Sequence, residues 1–155
     1  MTRLAIFLSS FAYSGYFPVA PGTAGSAAAL ALFVIVRWSG SPILAGVVLV
    51  AVAVVGTWSA SVTERHLRRT DPGQIVIDEV LGMLLTLAFL PRELHWPGVL
   101  LGFLVFRALD IVKPFPANVA ERLHGGLGVM ADDGVAGIYG NIIMRVACWL
   151  LPAWL

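Results

Sequence analysis

No Asp, Glu, Lys or Arg occurs from Leu4 to Val36 or from Trp38 to Thr63. A dense polar stretch follows, from Glu64 to Glu79, carrying Arg65, Arg68, Arg69, Asp71 and Asp78. Val80–Pro91 is uncharged again, as is Leu94–Phe106 apart from His95, and Gly134–Leu155 holds only Arg145. About 20 apolar residues cross the hydrocarbon of a bilayer. Pro42–Val62 meets that outright, and Gly22–Trp38 is near the lower limit. Val80–Pro91 and Trp96–Phe106 reach that length only if Ile75–Glu79 and Arg107–Asp110 continue the same helices. Carboxylates then fall at or just inside the membrane boundary, where ionisable groups are costly and usually functional.

The pattern predicts an all-α, polytopic membrane bundle of about four spans plus a C-terminal membrane helix, forming one domain over residues 1–155. Breaks are expected at Pro18, Pro21 and Gly22, at Ser39–Pro42, at Asp71-Pro72-Gly73, at Pro91–Pro97, at Lys113–Pro116 and at Gly125–Gly128. Asp71 before Pro72 has the chemistry of an N-cap followed by proline at the first helical position. Leu4–Phe17 reads as a retained interfacial or partly inserted helix, because no clean small-x-small cleavage site follows it.

Composition supports this reading. Apolar residues are 59% of the 155 and charged residues 12%, against about 25% charged in an average soluble domain. A small soluble globule has too much surface for so few polar side chains. The net charge of +1 gives no broad basic surface, so no nucleic-acid partner is expected. The single cysteine, Cys148, excludes an internal disulfide framework and reads as a small buried apolar residue.

Alternating the crossings places Pro21–Ser26, Glu64–Glu79, Arg107–Lys113 and Pro116–Asp133 on one side. Every Asp lies in these segments, and every Glu except Glu93. Seven of the 10 basic residues, including Arg3, share that side, against Arg37 and Arg92 on the other. The positive-inside rule makes it cytoplasmic.

Two adjacent carboxylate pairs, Asp78-Glu79 and Asp132-Asp133, belong to this side. Brought together, they repel and need a cation, and oxygen-only ligands suit Mg²⁺ or Mn²⁺. The competing reading is that each pair caps a helix N-terminus through the dipole. Arg107, Asp110 and Lys113 share roughly one helical face. They read either as an intrahelical charge ladder or as a phosphate site built on a fixed Lys/Arg pair. His124-Gly125-Gly126-Leu127-Gly128 is a glycine loop that lets backbone N–H groups approach a ligand, with His124 a donor or acid/base candidate. Thr23, between Gly22 and Gly25, is a hydroxyl at a helix start where an anion can bind. Gly134, Gly137 and Gly140 read first as close helix packing. His66 and His95, among loop charges, read as solvated.

In order along the chain, Gly22-Thr23-Ala24-Gly25-Ser26, Ile77-Asp78-Glu79-Val80-x-Gly82, Phe106-Arg107-x-x-Asp110-x-x-Lys113-Pro114-x-Pro116 and His124-Gly125-Gly126-x-Gly128-x-x-x-Asp132-Asp133-x-x-Ala136-Gly137 resemble the phosphatidylglycerophosphatase A family, from about Gly15 to Asn141. The resemblance implies a Mg²⁺-dependent lipid phosphatase of the bacterial inner membrane, multi-pass and facing the cytoplasm. It would convert phosphatidylglycerophosphate to phosphatidylglycerol, with the phospholipid and the bilayer as its partners. On this reading Asp78, Glu79, Asp110, Asp132 and Asp133 are the catalytic set. Asp78, Glu79, Asp132 and Asp133 hold the metal. Thr23, Arg107, Lys113, His124, Gly125 and Gly126 bind substrate phosphate. Either a water activated by the cation or an aspartate attacks phosphorus, and the paired carboxylates favour water.

Two competitors remain at this point. A carrier for an anionic metabolite would place its charges at mid-span, whereas here they cluster at one boundary, except for Arg145. A CDP-alcohol phosphotransferase-like enzyme would need a longer spaced Asp pattern than this chain has.

Overall fold

The computed structural model describes residues 1–120 and 122–151. Its elements are α1 (Thr2–Ser9), a 3₁₀ turn (Ser14–Tyr16), α2 (Pro21–Trp38), α3 (Pro42–Leu67), α4 (Ile77–Leu87), α5 (Trp96–Val112), α6 (Ala117–Ala120) and α7 (Gly126–Leu150). No strand occurs among the described residues. Proline opens α2, α3 and α5 in their first two positions, where its missing N–H and fixed φ are tolerated. Ser41 caps α3 by accepting the Leu44 N–H at 3.2 Å. Arg68 and Lys113 end α3 and α5 in left-handed conformations, with φ of 53° and 46°.

The shortest of the five main helices is also the central one. All of α4 except Glu79 and Leu85 is buried, and it packs on α7, α2, α3 and α5. Its approach to α7 is backbone to backbone. A Cβ on Gly137 would lie 2.6 Å from the Gly82 carbonyl oxygen, and one on Gly140 would lie 2.6 Å from Thr86 Oγ1. A Cβ on Gly82 would enter the Phe106 ring and come within 2.8 Å of the Asp133 carbonyl. These small residues therefore set the helix spacing, as they do in membrane bundles. Gly134 has open space where its Cβ would be and plays no such part.

The outside of the bundle is apolar. Helices α2 and α3 are long and apolar enough to cross a membrane, and only 17% of the most apolar window of α3 is buried. Ile43, Val47, Val50 and Val54 project from α3 into the surroundings, and Trp38 is 90% exposed. Leaving such side chains in water forfeits about 1.5–3 kcal/mol each, so these surfaces fit lipid.

The C-terminal carbonyls of α4 lie within this apolar frame and need donors. Asn141 of α7 supplies them: its Nδ2 lies 3.0, 3.2 and 2.8 Å from the carbonyls of Leu85, Thr86 and Ala88. Arg145 donates to Asn141 Oδ1 at 2.8 Å and to the Phe89 carbonyl at 3.3 Å. Beyond α4, Arg37 Nη2 donates to the carbonyls of Pro91, Arg92 and Leu94. Arg145, the one basic residue of the last helix, thus serves a helix end.

Four expectations change. Helix α1 stops at Ser9, not Phe17: Ser10 Oγ bonds back to the Ile6 carbonyl at 2.6 Å, and Phe11, Ala12 and Tyr13 turn left-handed. Asp71 caps no helix, because it has φ of 44° and its N–H is taken by Glu64 Oε1 at 2.8 Å. The third apolar segment is helical only over Ile77–Leu87, shorter than Ile75–Pro91. The last helix begins at Gly126, not Gly134, so Asp132 and Asp133 are helical.

Replacing Asn141 with Leu keeps its bulk and takes the side-chain donor from the Thr86 and Ala88 carbonyls, while the Leu85 carbonyl keeps the Ala88 N–H at 3.1 Å. An unsatisfied buried polar group costs about 1–3 kcal/mol. Thermal unfolding of the detergent-solubilised protein should show a clear loss for Asn141→Leu and a smaller one for Asn141→Gln.

Candidate active site

Helix α4 begins with Ile77-Asp78-Glu79, so both carboxylates sit at its positive dipole end. The glycine contact of α4 with α7 brings Asp133 to the same place. One carboxylate oxygen from each of Asp78, Glu79 and Asp133 lies within 4.8 Å of the others. Asp78 Oδ1, Glu79 Oε2 and Asp133 Oδ2 are buried and have no hydrogen-bond partner among the described residues. Asp110, near the end of α5, adjoins Asp133. Buried acceptors are ordinarily satisfied, and an unpaired buried charge is costly. Three clustered carboxylates, each with a buried unpartnered oxygen, fit a hard divalent cation.

Asp132 falls outside this group. Successive helical residues point about 100° apart, so Asp132 turns away from Asp133. Its Oδ2 lies 2.7 Å from Lys113 Nζ, and its Oδ1 accepts the Asp133 N–H at 2.9 Å. Arg107 pairs with Asp110 at 2.6 Å. The expected phosphate-binding cations therefore each stand beside a carboxylate, one from α5 and one from α7.

The start of α2 completes the site. Ser26 is fully buried. Its Oγ donates to the Gly22 carbonyl at 2.9 Å and accepts from Arg107 Nη1 at 3.3 Å. A Cβ on Gly22 would overlap Glu79 Oε1 and lie 3.3 Å from Arg107 Nη1. Thr23 lies half-buried in the same turn.

The glycine loop behaves differently from its sequence reading. Gly125 has φ of 69°, which favours glycine. Gly126 is already helical, and its N–H donates to Ser61 Oγ at 2.9 Å. A Cβ there would meet the Thr57 carbonyl and stand 2.7 Å from the Ser61 N. Gly126 is thus a contact between α3 and α7. His124 is exposed and lines a cleft of about 520 Å³ with Arg65, Arg68, Arg69 and Arg122.

Ser26, Ser61 and Glu64 are not among the site residues that the sequence pattern predicts. Glu64 is buried and holds the loop after α3 through the Asp71 N–H. The available signal was a hydroxyl or carboxylate within, or at the edge of, an otherwise apolar run.

Fold and site together define a class: an all-helical, apolar-surfaced protein with a carboxylate-rich centre flanked by cations. The phosphatidylglycerophosphatase A family model matches residues 7–148, and the chain belongs to that family. It is 38% identical over 126 residues to phosphatidylglycerophosphatase A of Escherichia coli, covering 81% of this chain and 72% of that protein. It is 36% identical over 143 residues to phosphatidylglycerophosphatase A of Haemophilus influenzae, covering 89% and 85%. It is also 35% identical over 143 residues to a Bacteroides thetaiotaomicron protein, covering 89% of each, whose name provisionally assigns it phosphatidylinositol-3-phosphatase activity. No solved structure gives a significant match.

Gly22→Ala should displace the Glu79 carboxylate while the helices stay packed, because the clash falls on the tip of a flexible side chain. Turnover should drop by about tenfold or more, equivalent to about 1.4 kcal/mol in the barrier. The melting temperature should move little. Phosphate release and thermal unfolding measured on one preparation separate the two effects.

Proposed function

We propose that this protein hydrolyses the terminal phosphate monoester of phosphatidylglycerophosphate, giving phosphatidylglycerol and inorganic phosphate. The observation that carries the reading is the cluster of Asp78, Glu79 and Asp133, each with a buried unpartnered oxygen, with Arg107 against Gly22 beside Glu79 and Lys113 on the neighbouring Asp132. Five carboxylates (Asp78, Glu79, Asp110, Asp132, Asp133) face two cations, so an ionised site repels a phosphate dianion. The fitting cation is Mg²⁺, held by Asp78, Glu79 and Asp133. When bound, it offsets charge on the phosphoryl oxygens and lowers the pKa of water at the site.

The chain's own residues do the rest. Arg107 and Lys113 take the phosphate oxygens, Arg107 through the planar donors suited to them. Asp110 and Asp132 hold these two cations in place before substrate arrives. Ser26 fixes the Arg107 fork from behind, and Thr23 stands at the mouth. His124, Gly125 and the basic cleft around them receive the rest of the headgroup.

The protein is a multi-pass protein of the bacterial inner membrane on this reading, with the carboxylate centre facing the cytoplasm. Helices α2, α3, α5 and α7 cross the bilayer. Helix α4, with 11 residues, is about 16 Å long, and the segment 88–95 completes its crossing. Trp38, Trp96 and Trp149, all exposed, lie at the helix ends away from the carboxylates and form an interfacial belt. The basic residues favour the opposite, carboxylate-bearing side.

EDTA should abolish phosphate release from phosphatidylglycerophosphate and Mg²⁺ should restore it, with Ca²⁺ poorer. Asp78→Asn and Asp133→Asn should each lose about 100-fold or more. Presenting phosphatidylinositol-3-phosphate in parallel tests the substrate assignment, and faster turnover of that lipid would overturn it.

Topology is checked by single cysteines placed at Arg68, Arg122, Ser39 and Glu93 in a Cys148→Ser background. A membrane-impermeant reagent added to intact cells should label only the last two positions.

A further inference from the structure

Where α2, α3 and the C-terminal end of α4 part, a groove of about 300 Å³ opens to the outside. Its walls include Phe33 from α2, Ala45 and Val48 from α3, and Leu84 and Leu87 from α4. Arg37 and Arg92 also line it, beside the interfacial Trp38. Both guanidiniums are anchored: Arg37 on three carbonyls, as described above, and Arg92 on the Gly40 carbonyl. Neither has a carboxylate partner among the described residues. The anchoring bonds engage one terminal nitrogen of each group, and most of the five N–H donors of a guanidinium are then left for another acceptor.

An apolar slot with two pre-positioned, unneutralised guanidiniums is complementary to a molecule carrying hydrocarbon and phosphate together. Planar N–H forks suit phosphate oxygens in particular. We propose that this groove binds one anionic phospholipid of the leaflet opposite the carboxylate centre. An acyl chain lies against Phe33, Val48 and Leu87, and the phosphate rests on Arg37 and Arg92. The inference depends on the multi-pass topology given above. It is independent of the chemistry, since the groove shares no residue with the carboxylate centre. Its effect is to neutralise the two arginines at the far interface and to join α2, α3 and the loop after α4.

The test uses full-length protein in a zwitterionic detergent, titrated with phosphatidylserine or with phosphatidylcholine of the same acyl chains. Native mass spectrometry counts bound lipid. One phosphatidylserine should be retained, with phosphatidylcholine about tenfold weaker. Ala45→Trp fills the slot and should abolish retention. Arg92→Gln should weaken it about tenfold, and Arg92→Lys less, so the proposal is still tested if Ala45→Trp does not fold.

Equal retention of the two lipids, or unchanged phosphatidylserine retention in the folded variants, would overturn the site. Displacement by millimolar inorganic phosphate alone would show a free-anion site and overturn it too. So would dimer formation in place of lipid binding, since a second copy would then cover the groove. Phosphate release is measured separately on the wild type. Inactivity with lipid retention intact overturns the enzymatic reading alone, and activity without lipid retention overturns this one alone.

Discussion

Helix α4 is enclosed on every side, and both of its ends have to be satisfied inside the bundle. At its start, free N–H groups and the positive dipole end receive Asp78 and Glu79. At its finish, Asn141 and Arg145 of α7 supply donors that solvent does not. Between the two ends, Gly82, Gly137 and Gly140 let α4 and α7 approach until backbone meets backbone. One helix pair therefore sets both the stability of the bundle and the distance from Asp78 and Glu79 to Asp133. Spacing and chemistry cannot be varied separately here. A side chain added at Gly82 to enlarge the core would push against the carbonyl of Asp133 itself.

The large features were legible because they depend on composition over long windows. Charge-free stretches located α2 and α3, and the requirement that short apolar segments recruit their polar flanks put Asp78, Glu79, Arg107 and Asp110 in helices. The errors were local. Asp132 and Asp133 look like a unit in sequence, yet adjacent helical residues diverge, and only Asp133 turns toward α4. That divergence was hidden because the glycine-rich stretch read as a loop, although Gly126 and Gly128 are helical. Glycine there signals close approach of α3, a reason that sequence cannot separate from close approach of a ligand. Arg145 looked anomalous for a similar cause: its partners are carbonyls of a distant helix end, which leave no mark in the residue types.

Placement of charge distinguishes this chain from a carrier. A transporter needs its ionisable groups where a substrate can be reached from either side, near mid-span. Here the carboxylates gather where α2, α4 and α7 begin and α5 ends, and the middles of these helices carry no charged residue. In the proposed topology, a headgroup reacting at that level leaves its acyl chains in the bilayer. The exposed valines and isoleucines of α3 then belong to the same medium as the substrate, and water and the released phosphate exchange on the polar side.

The two ion pairs answer a problem that the carboxylate cluster creates. On the proposed reading Arg107 and Lys113 are charged and partly desolvated to hold a phosphate, and a lone cation in that state is expensive. Removing one partner of a buried pair costs about 3–5 kcal/mol. Pairing Arg107 with Asp110 and Lys113 with Asp132 keeps both cations in place between turnovers. It also fixes them from outside the Asp78, Glu79 and Asp133 group, so the phosphate can be gripped without drawing on the oxygens that fit the metal. Asp132 belongs to the site through Lys113 in this arrangement. On that reading the adjacent Asp132-Asp133 pair is two carboxylates with separate tasks, set apart by the turn of one helical residue.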